Sequence, residues 1–347
     1  MDDPSSAEGS SHGQSAAANG ISIGVVVTCY SMDRLVDVLR LIGSIRGQTS
    51  PVDELVLVVQ QSQELLRALR PELDGLAPTH VTLRFLDVAR GVSHARNTGI
   101  TEITSDVVAF VDDDSILAAD WAAATRSFYH EHPGVIGVAG AIIPLWDAAA
   151  MKWFPRELYW MLSCTYWAWS HPVPVRNGYG ANMSFRREAF LCGRCFSEGC
   201  GVGAWGTSGW RGMGGEEPEL ALRVVRETEK PVMYVPAIRA WHRIRPYRLR
   251  TKTLLRRAYW EGRLKAALSR GAAGSTGVLT TEFSLLRLML RAQSDRLVLL
   301  LTRPLTALRQ EALVITVVAA VGIGFVEGKL RRDRLVCLHD RDSRLPA

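Results

Sequence analysis

Short apolar runs alternate with amphipathic stretches over the first third of the chain. Four apolar runs predict strands: 21–27, 55–59, 81–86 and 107–111. Helices are predicted between and after them, with the clearest helical spacing in the first: 32–46, 64–70, 93–103 and 116–130. This alternation predicts a doubly wound α/β sheet, in which ligands collect beyond the carboxyl ends of the strands.

Residues 141–215 break this alternation. They hold many Trp, Tyr, Gly and Pro residues and show little periodicity, which is typical of a binding surface built from loops. Aromatic rings in such loops offer apolar faces on which sugars or lipids can lie. A plain aromatic core is the alternative interpretation of the same composition.

From about Phe283 the chain becomes apolar, and three helices are predicted: 283–290, 297–308 and 312–326. The last of these has 15 residues and no charge. At ~1.5 Å per residue it covers about 22 Å, less than the ~30 Å hydrocarbon core of a bilayer. The pattern therefore favours helices that lie in the membrane interface, or a buried hairpin, over a single transmembrane span.

The 347 residues suffice for one large domain or for one domain with an accessory part. Residues 1–20 are rich in Ser, Ala and Gly, which predicts a disordered tail and no signal peptide. We therefore expect a cytoplasmic protein whose six cysteines are mostly reduced. Cys192, Cys195 and Cys200 have zinc-knuckle spacing, but a second ligand pair is missing, so buried thiols are favoured over zinc.

The net charge of +6 is concentrated in one segment, residues 239–265, which holds ten Lys or Arg residues and the single acid Glu261. The rest of the chain has 31 basic and 34 acidic residues. Such a segment suits a pyrophosphate, an anionic membrane or nucleic acid. Nucleic acid is the weakest of the three, because no zinc finger, basic zipper or aromatic RNA-binding signature is present.

The acidic triplet Asp112, Asp113 and Asp114 follows the apolar run 107–111 and is thus predicted at the end of a buried strand. Three neighbouring carboxylates repel one another, and a divalent cation with oxygen ligands relieves that repulsion while recruiting phosphate oxygens. The triplet alone leaves two interpretations open. One is a metal–phosphate site, and the other is the N-cap of the predicted helix 116–130.

Five ordered segments together resemble the pattern of glycosyltransferase family 2: 27–30, 91–97, 112–114, 180–187 and 214–220. The resemblance covers roughly residues 21–265. Residues 153–160, 176–177 and 256–262 look most like the branch that includes archaeal glucosyl-dolichyl-phosphate glucuronosyltransferases and their actinobacterial relatives.

The resemblance implies an α/β fold of the GT-A (nucleotide-diphospho-sugar transferase) type, with a doubly wound mixed sheet and an apolar helical C-terminal extension. Four parts follow from it: a tail at 1–20, a GT-A domain at 21–265, apolar membrane-associated or packing helices at 266–330, and a charged tail at 331–347. Within the domain, 21–115 is the nucleotide-binding half and 116–265 the acceptor half.

By the same resemblance, Asp114 ligates Mn²⁺ or Mg²⁺, and Asp112 ligates the ion or contacts the ribose. His242 is a third metal ligand or a diphosphate contact, and Asp113 tunes the charge beside the nucleotide sugar. Such an ion neutralises the departing diphosphate. His242 can equally be a structural histidine.

The nucleotide sugar is assigned to Thr28, Tyr30, Gln60 and Arg96. The ring of Tyr30 can stack on a base, Thr28 can hydrogen-bond it, and Arg96 can reach the diphosphate or Asp112. The second strand of the family normally ends in Asp, whereas here it ends in Gln60. The resemblance favours uridine, and this departure leaves guanosine and thymidine open.

Glu217 matches the family's general base, which takes the proton from the acceptor hydroxyl as it attacks from the face opposite the diphosphate, with inversion. Glu216, Asn182 and Met183 are assigned to the acceptor side. The Gln-x-x-Arg-Trp motif of processive synthases is absent near 254–260, which favours transfer of a single sugar.

We therefore expect a metal-dependent, inverting glycosyltransferase at the inner face of the cell membrane, acting on a nucleotide-diphosphate sugar and a polyprenyl-phosphate-linked acceptor. Two alternatives remain at this point. One is a soluble glycosyltransferase that decorates a small secondary metabolite, and the other is a non-catalytic sugar-nucleotide-binding scaffold.

Overall fold

The computed structural model describes residues 20–165, 169–193, 195–198, 214–271 and 280–331. It contains nine strands: β1 Ile23–Cys29, β2 Glu54–Gln60, β3 His80–Leu86, β4 Val107–Phe110, β5 Ser115–Leu117, β6 Gly137–Trp146, β7 Val173–Val175, β8 Met183–Arg186 and β9 Val232–Ile244. Eight α-helices accompany them: α1 Leu35–Arg46, α2 Gln63–Leu69, α3 Val92–Thr101, α4 Trp121–Glu131, α5 Glu216–Thr228, α6 Thr251–Gly271, α7 Thr280–Thr302 and α8 Pro304–Leu330. Six 3-10 helices complete the set: Met32–Arg34, Arg70–Leu73, Ala149–Trp153, Arg156–Leu162, Arg187–Gly193 and Pro246–Leu249.

One mixed sheet in the order β3-β2-β1-β4-β8-β6-β9-β5 forms the frame of the molecule, and β7 pairs with β9. The first four strands along the chain are parallel, whereas β8 runs antiparallel to both β4 and β6. The carboxyl ends of β1, β2 and β4 therefore meet at one edge. That edge carries Tyr30, Gln60 and the acidic triplet.

Both faces of this sheet are covered by helices, as the apolar runs predict. On one face, Val25 and Val27 of β1 pack in a cluster with α1 and α4; on the other face, Val26 packs with α3 and α5. Successive side chains of a strand point to opposite faces, so a run that is apolar at every position fits only a sheet buried on both sides.

The predicted helix 116–130 is wrong in its first part. Residues Ser115–Leu117 form β5, which pairs antiparallel with β9, and the helix begins only at Trp121. The hydrogen bonds to β9 satisfy the backbone of this segment and draw Ser115 opposite His242. Asp114 therefore does not cap a helix, and the interpretation of the triplet as the N-cap of a helix 116–130 is wrong.

The C-terminal helices also differ from the predicted ones. Helix α7 ends just before Arg303, and α8 then continues from Pro304 as a single long helix. Helix α8 has 27 residues, which at ~1.5 Å each gives about 40 Å. It is long and apolar enough to cross a membrane, by length and composition alone. The prediction that the last apolar helix is too short to span a bilayer is thus corrected, because that helix extends over Pro304–Leu330.

Two glycines let α8 lie against α6 at close range. A Cβ built at Gly324 would stand 1.9 Å from the carbonyl oxygen of Tyr259, and one at Gly262 would stand 2.0 Å from that of Val321. Real side chains never approach so closely, so both positions require glycine. Small residues at such crossings let helix backbones pack directly.

We expect Gly324→Ala to lower stability by about 1–3 kcal/mol, because the new methyl group forces the two helices apart. Thermal unfolding in detergent micelles measures the change. Gly322→Ala is the matched control, since no atom lies within 4 Å of a Cβ built there. Equal melting temperatures for the two variants would contradict the close packing of α6 and α8.

Candidate functional site

The end of β4 and the middle of β9 bring together three groups that can hold a metal ion. One ligand atom each from Asp112, Asp114 and His242 lie within 4.8 Å of one another. The approach follows from the pairing of β5 with β9, since Ser115 lies opposite His242 in that ladder. The structure thus juxtaposes the three residues assigned to the metal from sequence.

One hydrogen bond orients the ring of His242. Its Nδ1 lies 3.1 Å from the carbonyl oxygen of Leu162, which can only accept, so Nδ1 carries a proton. Its Nε2 faces Oδ1 of Asp114 at 3.1 Å and makes no hydrogen bond of good geometry to the described residues. A metal ion between these two atoms would take the place of a proton on Nε2, and a backbone carbonyl that accepts from the other ring nitrogen is the usual support of a metal-bound histidine.

Basic side chains surround Asp114 as well. Nη1 of Arg34 lies 2.6 Å from its Oδ2, and Nη2 of Arg248 lies 4.0 Å away. Burial would raise the pKa of Asp114, but His242, Arg248 and Arg34 outweigh it and hold that pKa well below its usual range. Asp114 is therefore ionised at neutral pH.

Asp113 differs from its neighbours in the triplet. Burial, and to a smaller extent the charges of Asp114 and Asp112, raise its pKa to about 8, although Arg34 at 3.5 Å opposes the shift. Its Oδ2 is buried and has no hydrogen-bond partner among the described residues. Its assignment to the nucleotide sugar stays a prediction.

Arg96 links the triplet to the second acidic site. Only 4% of the residue is exposed, and its guanidinium lies 3.2 Å from Asp112, 3.3 Å from Glu217 and 3.6 Å from Glu216. Gly180 makes room for it, because a Cβ there would stand 1.8 Å from Nη2. Of the two contacts expected for Arg96, the one with Asp112 is present.

The two glutamates at the start of α5 have different environments. Glu216 is buried, and burial together with the charge of Glu217 raises its pKa to about 8. The side chain of Glu217 keeps 15% of its surface exposed, and its Oε1 accepts hydrogen bonds from Arg96 and from the Gly180 N–H. Glu217 is therefore the carboxylate that an incoming hydroxyl can reach.

We expect Arg96→Met to destabilise the protein by about 3–5 kcal/mol, because three carboxylates would lose the buried cation that neutralises them. Urea unfolding followed by circular dichroism measures this change. Arg84→Met is the matched control: its ion pair with Glu102 is exposed, and its loss should leave the unfolding midpoint in place. Similar midpoints for both variants would contradict a bridging role for Arg96.

The nucleotide residues assigned from sequence share the edge formed by β1 and β2. Tyr30 is 57% exposed, and Gln60 is buried with an Oε1 that has no hydrogen-bond partner in the part of the chain that the structure describes. Thr28 lies in β1, which pairs with β2 in parallel. An exposed ring beside an orphaned carbonyl acceptor suits a base with an N–H donor.

Asn182 and Met183 lie under the site without open polar atoms. The amide of Asn182 donates to the carbonyls of Ala141 and Ile238 and accepts from the indole of Trp121. Met183 is 2% exposed and belongs to the core. Both residues are buried, and a role in shaping the pocket or contacting an acceptor stays a prediction.

The structure divides the arginines of the basic segment between an acid of helix α1 and the acidic triplet. Arg243 and Arg245 each lie 2.7 Å from the buried carboxylate of Asp37. Only Arg248 approaches the triplet. The zinc alternative is not tested by the structure: Cys195 is a buried free thiol, and Cys200 lies outside the described residues.

Sequence reasoning missed Arg34 and the carbonyl of Leu162. Arg34 contacts Asp114 across 80 positions of the chain, and Leu162 contacts His242 across another 80. No local pattern marks either residue. Their roles arise only when the strands assemble.

Comparisons with known proteins agree with this geometry. The model of the family described as Glycosyl transferase family 2 matches residues 25–193. Glucosyl-dolichyl phosphate glucuronosyltransferase of Haloferax volcanii is 31% identical over 319 residues, covering 89% of this chain and 97% of that protein. Succinoglycan biosynthesis protein ExoM of Rhizobium meliloti is 26% identical over 233 residues, covering 66% and 72%.

Among solved structures, the fold is similar to that of mannosyltransferase PcManGT from Pyrobaculum calidifontis in complex with GDP-Man and Mn²⁺. The TM-score is 0.59 at 18% identity, and the match covers 89% of this chain and 88% of that one. At this identity the likeness concerns the fold, and it confirms the predicted GT-A-type α/β architecture with an apolar C-terminal helix.

Proposed function

The chain belongs to glycosyl transferase family 2 and is a glycosyltransferase, and on this premise we propose that it transfers one sugar, with inversion and dependence on a divalent ion. The donor is a nucleotide-diphosphate sugar, with UDP favoured. The acceptor is a hydroxyl of a polyprenyl-phosphate-linked molecule. The lipid-linked acceptor is supported by the similarity to glucosyl-dolichyl phosphate glucuronosyltransferase of Haloferax volcanii, which covers most of this chain.

The observation that carries the dependence on an ion is the approach of two buried ligand atoms, Nε2 of His242 and Oδ1 of Asp114, to 3.1 Å. With Asp112 they form a donor set that suits Mn²⁺ or Mg²⁺, since carboxylate oxygens predominate. When bound, such an ion supplies charge neutralisation for the departing diphosphate. Leu162 holds the imidazole in position for that purpose.

Glu217 is the proposed general base. Its Oε1 accepts hydrogen bonds from Arg96 and the Gly180 N–H, which fix the orientation of the carboxylate while leaving part of it exposed. It accepts the proton of the acceptor hydroxyl as the new glycosidic bond forms and the bond to the diphosphate breaks. Because Arg96 also contacts Asp112, base and leaving-group sites are held in one network.

Membrane association is supported by the surface of the C-terminal helices. Most of the large exposed apolar side chains lie on α7 and α8, including Leu301 at 87% and Leu305 at 82% exposure. Large exposed apolar side chains concentrated on two helices in this way are typical of a membrane or protein interface. We propose that the catalytic domain sits at the inner face of the cell membrane and that α8 anchors it there.

A donor screen tests the proposed function. Purified protein in detergent, with a polyprenyl-phosphate-linked glucose as acceptor, is incubated with UDP-, GDP- and dTDP-sugars, and release of the nucleoside diphosphate is measured with Mn²⁺ or EDTA. We expect release from UDP-sugars with Mn²⁺ only. Equal release in EDTA would exclude the metal-dependent mechanism. A protein recovered wholly in the soluble fraction after a salt wash would favour a soluble transferase instead.

A further inference from the structure

Several basic side chains of the segment 239–265 pair with carboxylates away from the acidic triplet. Arg239 pairs with Asp120, Arg243 and Arg245 pair with Asp37, and Lys265 pairs with Glu261. Two others lie toward the triplet: Arg248, 4.0 Å from Asp114, and Arg257 on α6, which contacts Ser163 beside Leu162.

Arg257 contacts a neutral hydroxyl, which leaves its positive charge available to an anion. Its Nη2 donates to the hydroxyl of Ser163 at 2.9 Å, and among the described residues no carboxylate lies within ion-pair distance of it. Burial lowers the pKa of Arg257, and the nearby charge of Arg248 lowers it further. Two guanidinium groups that repel each other are stabilised when an anion joins them.

Arg257 is also accessible to a ligand, because the residue is exposed to solvent. The charges of Tyr179 and Glu217 act on it as well. An anion from solution can therefore reach its guanidinium.

Two sets of contacts place Arg257 between the metal site and the apolar helices. Ser163 directly follows Leu162, whose carbonyl holds His242, and Arg248 lies 4.0 Å from Asp114. On the other side, Ala258 packs in one cluster with Val314 and Val317 of α8. An anion here has the reaction centre on one side and the apolar surface on the other.

We propose that Arg257, with Arg248 and the hydroxyl of Ser163, binds the phosphate of the lipid-linked acceptor. A guanidinium fork pairs with two phosphate oxygens, and a hydroxyl can donate to a third. The phosphate then lies beside Arg257, the sugar hydroxyl reaches Glu217, and the lipid chain follows the apolar face of α8. This inference rests on the proposed function, whose lipid-linked acceptor it places.

Binding of farnesyl phosphate and farnesol, measured by calorimetry in detergent with saturating UDP and Mn²⁺, tests the site without requiring turnover. We expect farnesyl phosphate to bind the wild-type protein about tenfold or more tightly than it binds Arg257→Gln. Farnesol should bind both equally, and the affinity for UDP with Mn²⁺ should be unchanged. Arg256→Gln, at the exposed neighbouring position, is the matched control and should behave as wild type.

Three outcomes would overturn the proposal. The first is equal binding of farnesyl phosphate to wild type and Arg257→Gln. The second is competition between farnesyl phosphate and UDP together with weaker UDP binding by Arg257→Gln, which would assign the arginine to the donor diphosphate. The third is an equal effect of Arg256→Gln. None of these depends on the donor screen, so failure of the acceptor site and failure of the proposed reaction are distinguishable.

Discussion

Glu217→Gln is expected to lower kcat by about 10³-fold, because the amide keeps the shape of the carboxylate but cannot take the acceptor proton. Binding of the nucleotide with Mn²⁺ should be unchanged, since Glu217 lies across Arg96 from Asp112 and outside the cluster of three metal-binding groups. Nucleoside diphosphate release under saturating donor and acceptor measures kcat. Calorimetry with UDP and Mn²⁺ measures binding.

Glu227→Gln is the control for this variant, because Glu227 is an exposed glutamate on the same helix α5. It should retain wild-type kcat. If Glu217→Gln transferred sugar at the wild-type rate, the base would be another group. If it instead lost nucleotide binding with unchanged chemistry, Glu217 would belong to the donor site.

Removal of a metal-binding side chain is expected to have an effect of similar size. His242→Ala and Asp114→Asn should each weaken binding of Mn²⁺ in the presence of UDP by about 100-fold or more, because even outer-shell partners contribute 10–100-fold. Sugar transfer should fall with it. His80→Ala, at an exposed position on β3, is the control and should bind Mn²⁺ normally.

Far-ultraviolet circular dichroism must show that these variants are folded, because Asp114 also pairs with Arg34 and its loss leaves that guanidinium without its closest carboxylate. Full transfer activity in a folded His242→Ala protein would show that the imidazole is structural. If either variant bound Mn²⁺ as tightly as wild type, the ion would have to bind somewhere other than this site.

Much of the fold of residues 21–115 could be predicted because its signals are local. The four apolar runs became β1 to β4, each within a few residues of the predicted bounds. Strands β1, β2 and β4 are buried at nearly every position, as a strand covered on both faces requires, whereas the edge strand β3 is only partly buried. The acidic triplet could be placed at a carboxyl edge for the same reason. Parallel strands with helical crossovers leave their carboxyl ends together.

The remainder depends on contacts between distant segments. Residues 115–117 have a helical pattern, yet they pair with β9, because that ladder satisfies more of their backbone than a helix start would. The basic segment suits a pyrophosphate or an anionic membrane by its charge, yet two of its arginines, Arg243 and Arg245, pair with Asp37 on α1. The acid lies about 200 positions away, and no spacing rule connects them.

The position of the ion can be observed directly. Crystals grown with UDP and Mn²⁺ and measured at the manganese absorption edge should give one strong anomalous peak within about 2.5 Å of both Oδ1 of Asp114 and Nε2 of His242. The same peak should adjoin the diphosphate oxygens. Bound UDP with no anomalous peak at these two atoms, or with the peak elsewhere, would contradict a metal-dependent transferase built on the acidic triplet and His242.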